Sequence, residues 1–149
     1  MITKDKTIVK IKNLCKSFGD LELFKNINLE VKESEIVVLI GFSGCGKSTL
    51  LKMIAGLEDL SSGEIEINEI CKLGMAFQYS ALFDSLTIAE NIVFPLVVGE
   101  NLEKQYTDEE LDTLVKERLS LVGLSGIENQ YPSELSGGMK KRVSFARAI

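Results

Sequence analysis

Apolar and polar residues alternate in three segments of the chain, residues 8–14, 26–32 and 64–68. In the second segment Ile27, Leu29 and Val31 face one side of an extended backbone, and in the third Ile65 and Ile67 do so. A period of two residues is typical of antiparallel strands with one solvated face. Three such strands are therefore predicted.

Two uninterrupted apolar runs have a different meaning. Residues 36–40 and 73–77 are apolar almost throughout, without the polar positions that would mark a solvated face. Runs of this kind are typical of strands buried on both sides of a parallel sheet. We therefore predict two buried parallel strands at these positions.

Helical signals dominate from about residue 87. Thr87 with Glu90 and Thr107 with Glu110 match the capping box that begins helices. The second box precedes an apolar helix face, followed by Gly123, and a last helix is predicted from about Ser136. The apolar face of the helix after the second box consists of Leu111, Leu114, Val115, Leu119 and Val122. Residues 99–106, before that box, are predicted to be a polar connector.

This order of elements predicts an α/β domain with an antiparallel β edge. The length of 149 residues suits a single domain, which we divide into a core at 1–78 and a mostly helical part at 79–149. A net charge of −5 argues against nucleic acid as a partner. The basic cluster 140–142 is accordingly interpreted as a solvated helix face.

Cysteine content and hydropathy bear on the compartment. Three scattered cysteines, Cys15, Cys45 and Cys71, and no secretory leader favour a reducing environment. No apolar run approaches the roughly 18 residues of a membrane span, so no direct span is expected. The chain contains no histidine.

The segment from Gly41 to Thr49 carries the strongest chemical signal. Its sequence, Gly41-Phe42-Ser43-Gly44-Cys45-Gly46-Lys47-Ser48-Thr49, fits the phosphate-loop pattern and lies between a predicted strand and a predicted helix. Glycines let successive backbone N–H groups point inward, and the helix N-terminus favours an anion. A Gly/Ser-rich surface loop is the alternative, but it does not explain this context.

The side chains at the end of the loop are each predicted to bind a different part of the Mg-nucleotide. Lys47 would place its charge near the β- and γ-phosphates, and the Ser48 hydroxyl would ligate Mg²⁺. Thr49 would contact the α-phosphate side. Cys45 is interpreted as a small residue that fits the loop, rather than as a redox switch.

A second cluster of small residues begins the last predicted helix. Leu135-Ser136-Gly137-Gly138-Met139 places a serine and two glycines where a helix N-terminus attracts anions. One phosphate loop already serves this chain. We therefore expect Ser136, Gly137 and Gly138 to face the nucleotide of another subunit in a composite site.

Residues 135–148 resemble the signature motif and helix of the ABC transporter ATPases, a P-loop NTPase family. Gln78 matches the Q-loop glutamine of the family, which senses the γ-phosphate and Mg²⁺, and Phe18 matches the aromatic residue that stacks on adenine. The resemblance covers nearly the whole chain. It implies ATP and Mg²⁺ as cofactors, with Gln78 beside Ser48 at the metal.

A finer resemblance is to the ATPases of Mce-associated lipid transporters, such as the intermembrane phospholipid system. It rests on Met139, where most family members have glutamine, and on segments 77–87 and 91–96. It implies ATP hydrolysis coupled to lipid transport by a head-to-tail homodimer. A permease helix would enter a groove beside residues 79–86, which would place the ATPase at the cytoplasmic face of the inner membrane.

The chain departs from the family pattern in two places. No apolar strand ending in Asp-Glu precedes Ile149, so the Walker B aspartate, the catalytic glutamate and the switch histidine are not found, and Asp108-Glu109 lies in a helix cap instead. Segment 68–73 is also shorter than the family norm. We expect a domain that is incomplete at its C-terminus. Whether the chain is an enzyme stays open: the alternatives are a catalytically incomplete fragment or gene relic, and a non-transport P-loop ATPase.

Overall fold

The structure is a computed structural model that describes residues 6–98 and 106–149. It divides into two compact units, residues 1–73 and 74–149. The predicted connector at 99–106 lies, apart from Tyr106, outside the described residues.

The first unit contains a three-stranded antiparallel sheet. Its strands are β1 (Thr7–Phe18), β2 (Leu21–Lys32) and β3 (Ser62–Ile67), in the order β2-β1-β3. The alternating segments therefore form antiparallel strands, as predicted. Helix α1 (Lys47–Ile54) packs on one face of this sheet, where the buried side chains form a core. That core comprises Val9, Ile11, Leu14, Leu50 and Met53.

A bulge interrupts β1 near Asn13. This residue has a left-handed φ of 49°, its N–H donates to Asn28 Oδ1 at 3.0 Å, and the register with β2 shifts between Ile11 and Leu14. Asparagine tolerates this conformation better than most residues. Because one extra residue is inserted, the buried face continues at Leu14 and Lys16 rather than at residues 13 and 15.

The two apolar runs do not form strands, and both predictions were wrong. Residues 36–40 and 73–77 are extended or irregular, and Ile36 and Ile40 are 90% and 92% exposed. A strand requires a neighbour that pairs with its N–H and C=O groups. Within the described ranges, neither run pairs with a strand of the sheet, which contains only β1, β2 and β3. An apolar sequence is therefore not sufficient for a strand when no partner strand lies beside it.

The second unit is helical. It contains α2 (Ile88–Val97), α3 (Asp108–Leu121), a short 3₁₀ helix (Pro132–Glu134) and α4 (Gly137–Ala148). The two predicted capping boxes are confirmed, with Thr87 and Thr107 at the N-caps of α2 and α3. The first box also lowers the pKa of Glu90, because the backbone and hydroxyl of Thr87 hydrogen-bond to its carboxylate. The three long helices share a core of Ile88, Ile92, Val115, Leu119, Val143 and Ala146, with Leu124, Ile127 and Leu135 at its edge.

The basic cluster at 140–142 is only partly a solvated face. Lys141 is exposed, but the Arg142 guanidinium donates to the carbonyl oxygens of Val122 at 3.3 Å and Gly123 at 3.2 Å. These carbonyls lie at the C-terminal end of α3, where a cation is favourable. Arg142 therefore links α4 to the end of α3.

Among residues 6–98 and 106–149, no helix combines the length and apolar character required to cross a bilayer.

Two leucines near the end of α3 allow a matched stability test. Leu119 is fully buried, whereas Leu121 is 75% exposed. We expect Leu119→Ala to lower the free energy of unfolding by about 2–5 kcal/mol, because it leaves a cavity in the helical core. Leu121→Ala should change it by less than about 0.5 kcal/mol. Urea unfolding followed by circular dichroism measures both, and equal losses would contradict this assignment of the core.

Candidate nucleotide-binding site

The glycine loop enters α1 through a position that only glycine can occupy. Gly46 is the N-cap of α1 and has a φ of 98°. A Cβ at this position would lie 2.4 Å from Phe24 Cζ of β2 and 3.1 Å from Leu23 Cδ2. The backbone conformation and the packed ring therefore both require glycine here. Strand β2 thus fixes where the loop ends and α1 begins.

Unpaired backbone donors gather at the start of α1. The first helical hydrogen bond joins the Leu50 N–H to the Gly46 carbonyl at 2.9 Å. The N–H groups of residues 46–49 precede it and have no partner within the helix. Together with the helix dipole, these donors can bind a phosphate group. Residues 41–49 lead into this helix start, with Gly41, Ser43 and Gly44 exposed and Thr49 partly buried.

Lys47 bends back over the loop that precedes it. Its Nζ donates to the carbonyl oxygens of Gly41 at 2.9 Å and Phe42 at 2.8 Å, and lies 3.6 Å from Cys45 Sγ. The ammonium is therefore held at the loop without an ion pair to a carboxylate among the described residues. A triphosphate could replace these carbonyl contacts with stronger charge-assisted ones.

Phe18 ends β1 and is 48% exposed. The Phe18 ring lies beneath the ammonium of Lys16, with Nζ 4.6 Å from the ring centroid.

Lys16 was not predicted from the sequence. The bulge that turns it inward is indicated there only by the asparagine at position 13. Phe24 was not predicted either, since its role depends on a contact distant in sequence.

The serine-glycine motif lies at the exposed N-terminus of α4. Ser136 is the N-cap, and its hydroxyl accepts from the Met139 N–H at 3.3 Å. Gly137 and Gly138 are exposed, and a Cβ at either position would meet nothing within 4 Å. Within the described chain, therefore, no steric contact demands glycine at these two positions. The bare backbone leaves room for a close approach from outside.

Gln78 is exposed in a bend that precedes an anchored segment, residues 80–87. Arg147 of α4 donates to the carbonyls of Ala81 at 2.7 Å and Ser80 at 3.2 Å. Partial burial lowers the pKa of the Arg147 guanidinium, which remains charged at neutral pH. The bend at Gln78 is thus followed directly by a segment held to α4.

Asn91 of α2 anchors the same segment from within the core. Its fully buried amide accepts from the Phe83 N–H at 2.8 Å and donates to the carbonyls of Phe83, Leu86 and Thr87. Tyr79 remains 84% exposed and Phe83 43% exposed beside it. Phe83 of the anchored segment and Tyr79 just before it therefore present aromatic surface beside a fixed backbone.

The described residues do not form a metal site from protein side chains alone. No group of three or more Cys, Asp or Glu side chains there could hold a cation. The exposed Ser48 hydroxyl follows Lys47 at the start of α1, where it could ligate Mg²⁺ brought by a polyphosphate. The loop belongs to residues 1–73, whereas Gln78 and residues 136–138 belong to 74–149, so the shared metal site of Ser48 and Gln78 stays a prediction.

Loop, helix and sheet define a P-loop nucleotide-binding fold. The family described as "ABC transporter" matches residues 24–149, and the chain belongs to that family. It is similar to a dimeric ATP-binding cassette solved in a post-hydrolysis state with ADP and Pi, at 33% identity and a TM-score of 0.83, covering 95% of this chain and 69% of that one. The fold class predicted from sequence is thereby confirmed.

Curated relatives are considerably longer. A sulfate/thiosulfate import ATP-binding protein, CysA of Synechocystis, is 45% identical over 93% of this chain and 40% of its own length. Protein TRIGALACTOSYLDIACYLGLYCEROL 3 of Arabidopsis thaliana, chloroplastic, is 39% identical over 95% of this chain and 44% of its own. The chain spans less than half of either relative. The finer expectation, that lipid transporters resemble this chain most, is not supported, because the sulfate/thiosulfate protein is more similar.

Alanine substitutions at two glycines of the loop separate the steric cost of a side chain from its conformational cost. Gly44 and Gly46 both have positive φ, but only at Gly46 does a Cβ collide with Phe24. We expect Gly46→Ala to lower the melting temperature more than Gly44→Ala, whose cost is about 1–2 kcal/mol from backbone conformation alone. Adding Phe24→Leu should recover part of the loss at Gly46. Equal melting temperatures for the two single variants would contradict the packing described.

Proposed function

We propose that this chain is the nucleotide-binding part of an ABC transporter ATPase and binds Mg-ATP. The observation that carries the proposal is the loop at 41–49, in which the N–H groups of residues 46–49 and the Lys47 ammonium gather where Phe24 leaves space only for glycine. Lys47 would bind the β- and γ-phosphates, and Thr49 the α-phosphate side. Phe18, half exposed at the end of β1, would stack on the adenine base.

The magnesium ion would reduce the charge repulsion among the phosphates and hold them for attack by water. Ser48 is the protein ligand that fits, and Gln78 would approach the γ-phosphate and the ion. Hydrolysis also requires a group that activates the attacking water. We assign no described residue to that task, so turnover is proposed for the whole protein.

A head-to-tail homodimer would complete the site. Ser136, Gly137 and Gly138 present exposed backbone at a helix N-terminus, where no contact with another described residue explains the glycines. A triphosphate bound to the loop of the opposite subunit could approach that surface closely. The dimeric form of the solved relative supports this arrangement.

The anchored segment 80–87 is the proposed contact for a transmembrane permease. Asn91 and Arg147 hold its backbone, while Tyr79 and Phe83 offer exposed aromatic surface, which is common at protein interfaces. Such a contact would place the ATPase at the cytoplasmic face of the inner membrane. It would also transmit closure of the dimer to the permease.

Two substrate classes are candidates for transport. Met139 and segment 77–87 favour lipid, as in the Mce-associated systems, whereas the name of one relative specifies sulfate or thiosulfate. A second candidate function is nucleotide binding without turnover, favoured by the lack of a metal-holding acidic cluster among the described residues. Phosphate release by the purified chain tests this second function: turnover above background would exclude it.

Two lysines of α1 provide the test of ATP binding. Lys47 lies over the loop, and Lys52, five residues further along the helix, is exposed. We expect Lys47→Ala to weaken Mg-ATP binding by about tenfold to a hundredfold, as the loss of one charge-assisted contact implies. Lys52→Ala should leave the Kd within about twofold. Calorimetry measures both, with thermal unfolding run in parallel because Lys47 also contacts the loop. Unchanged binding by Lys47→Ala would contradict the proposed site.

A further inference from the structure

Lys16 is a charged residue on the buried face of the sheet. The bulge at Asn13 turns it to the same side as Leu14, and it is 7% exposed. Lysine is almost never this buried unless its charge is paired, because removing an ammonium from water costs several kcal/mol. Its position at the end of β1 therefore calls for a specific explanation.

Three contacts surround the ammonium. Lys16 Nζ donates to Glu58 Oε1 at 2.6 Å and to the Asp59 carbonyl at 2.5 Å, and it lies 4.6 Å from the centroid of the Phe18 ring. The last distance is within the range of a cation–π interaction, which is strengthened by desolvation. Lys16 thus joins the ring to the segment that directly follows α1.

A second set of contacts holds the same strand end to that segment. The Ser17 N–H donates to Ser61 Oγ at 3.0 Å, and the Ser61 N–H donates to the Cys15 carbonyl at 3.0 Å. The backbone around Lys16 is therefore fixed independently of its charge. Loss of the ammonium should release the Phe18 ring without detaching β1.

The ammonium covers one face of the Phe18 ring, and the ring is nonetheless 48% exposed. Its opposite face is the one available to a planar ligand. Because Glu58 and Asp59 follow the helix that the phosphate loop begins, Lys16 links the position of the ring to that helix. A nucleotide whose phosphates bind the loop would meet a ring already held in place.

We propose that Lys16 is a positioning residue for base recognition: through its cation–π contact it orients Phe18 to stack on the base of the bound nucleotide. This inference rests on the proposed function, since it assumes that the loop binds the phosphates. Lys16 itself touches neither base nor phosphate. Lys16 should therefore increase the binding affinity only for ligands that carry a base.

Inorganic tripolyphosphate supplies the decisive comparison, because it offers phosphates without a base. Calorimetry with Mg-ATP and with magnesium tripolyphosphate is carried out on the unsubstituted chain, on Lys16→Met and on Lys12→Met. Lys12 is the matched control, since it lies on β1 but pairs at the surface with Glu64 and Glu66. We expect Lys16→Met to weaken ATP binding about fivefold to twentyfold and to leave tripolyphosphate binding unchanged. Lys16→Arg should retain most of the ATP affinity.

A double-mutant cycle then asks whether Lys16 acts through the ring. In a Phe18→Ala background, Lys16→Met should cause no further loss of ATP affinity, because the group that it orients is gone. If Lys16→Met does not fold, Glu58→Gln replaces it: this variant weakens the hold on the ammonium and should lower the affinity for ATP alone.

The outcomes are distinguishable. Equal weakening of ATP and tripolyphosphate, or an undiminished loss in the Phe18→Ala background, would show a merely structural lysine and overturn the inference. Unchanged ATP binding by Lys16→Met would overturn it as well. If the unsubstituted chain bound neither ligand, the proposed function itself would fail, and this inference with it.

Discussion

The packing of α1 on the β1–β2–β3 sheet is the interaction on which the rest of the first unit depends. Leu50 and Met53 are buried against Val9, Ile11 and Leu14, and each such side chain contributes about 1.5–3 kcal/mol when fully buried. An eight-residue helix would not persist in water without this support. Because the same helix begins at the glycine loop, the apolar contacts at its middle determine where the N–H groups that we propose bind phosphate lie.

The two units present their candidate nucleotide-binding surfaces in different ways. In the first, the loop is closely confined, since Phe24 limits Gly46 to glycine and Lys47 folds onto the carbonyls of residues 41 and 42. In the second, a packed helical core presents an open surface, the exposed backbone of Gly137 and Gly138. A confined site binds its ligand by preorganised donors, whereas an open one is suited to meet a ligand held elsewhere. This contrast is the physical basis for proposing a composite site between subunits.

Local signals in the sequence predicted much of this structure. The alternating segments, both capping boxes, Gly123 at the end of α3 and the helix after the loop all depend on residues close in sequence, and all were found as expected. The two apolar runs failed because a strand also depends on a partner. Lys16, Phe24, Asn91 and Arg147 were missed for a related reason: each acts through a contact with a distant segment, or through a bulge that shifts the alternation by one residue. The roles of Gln78, Phe18 and residues 136–138 remain predictions based on resemblance.

We propose above all that backbone N–H groups at the start of α1 bind a triphosphate. Amide chemical shifts recorded by ¹⁵N NMR during titration with Mg-ATP test it most directly. We expect the largest changes on residues 44–49, with the N–H groups of Gly46, Lys47 and Ser48 moving downfield as they donate to phosphate oxygens. Saturating ATP that left these amides unmoved, or that shifted only residues remote from the loop, would contradict it.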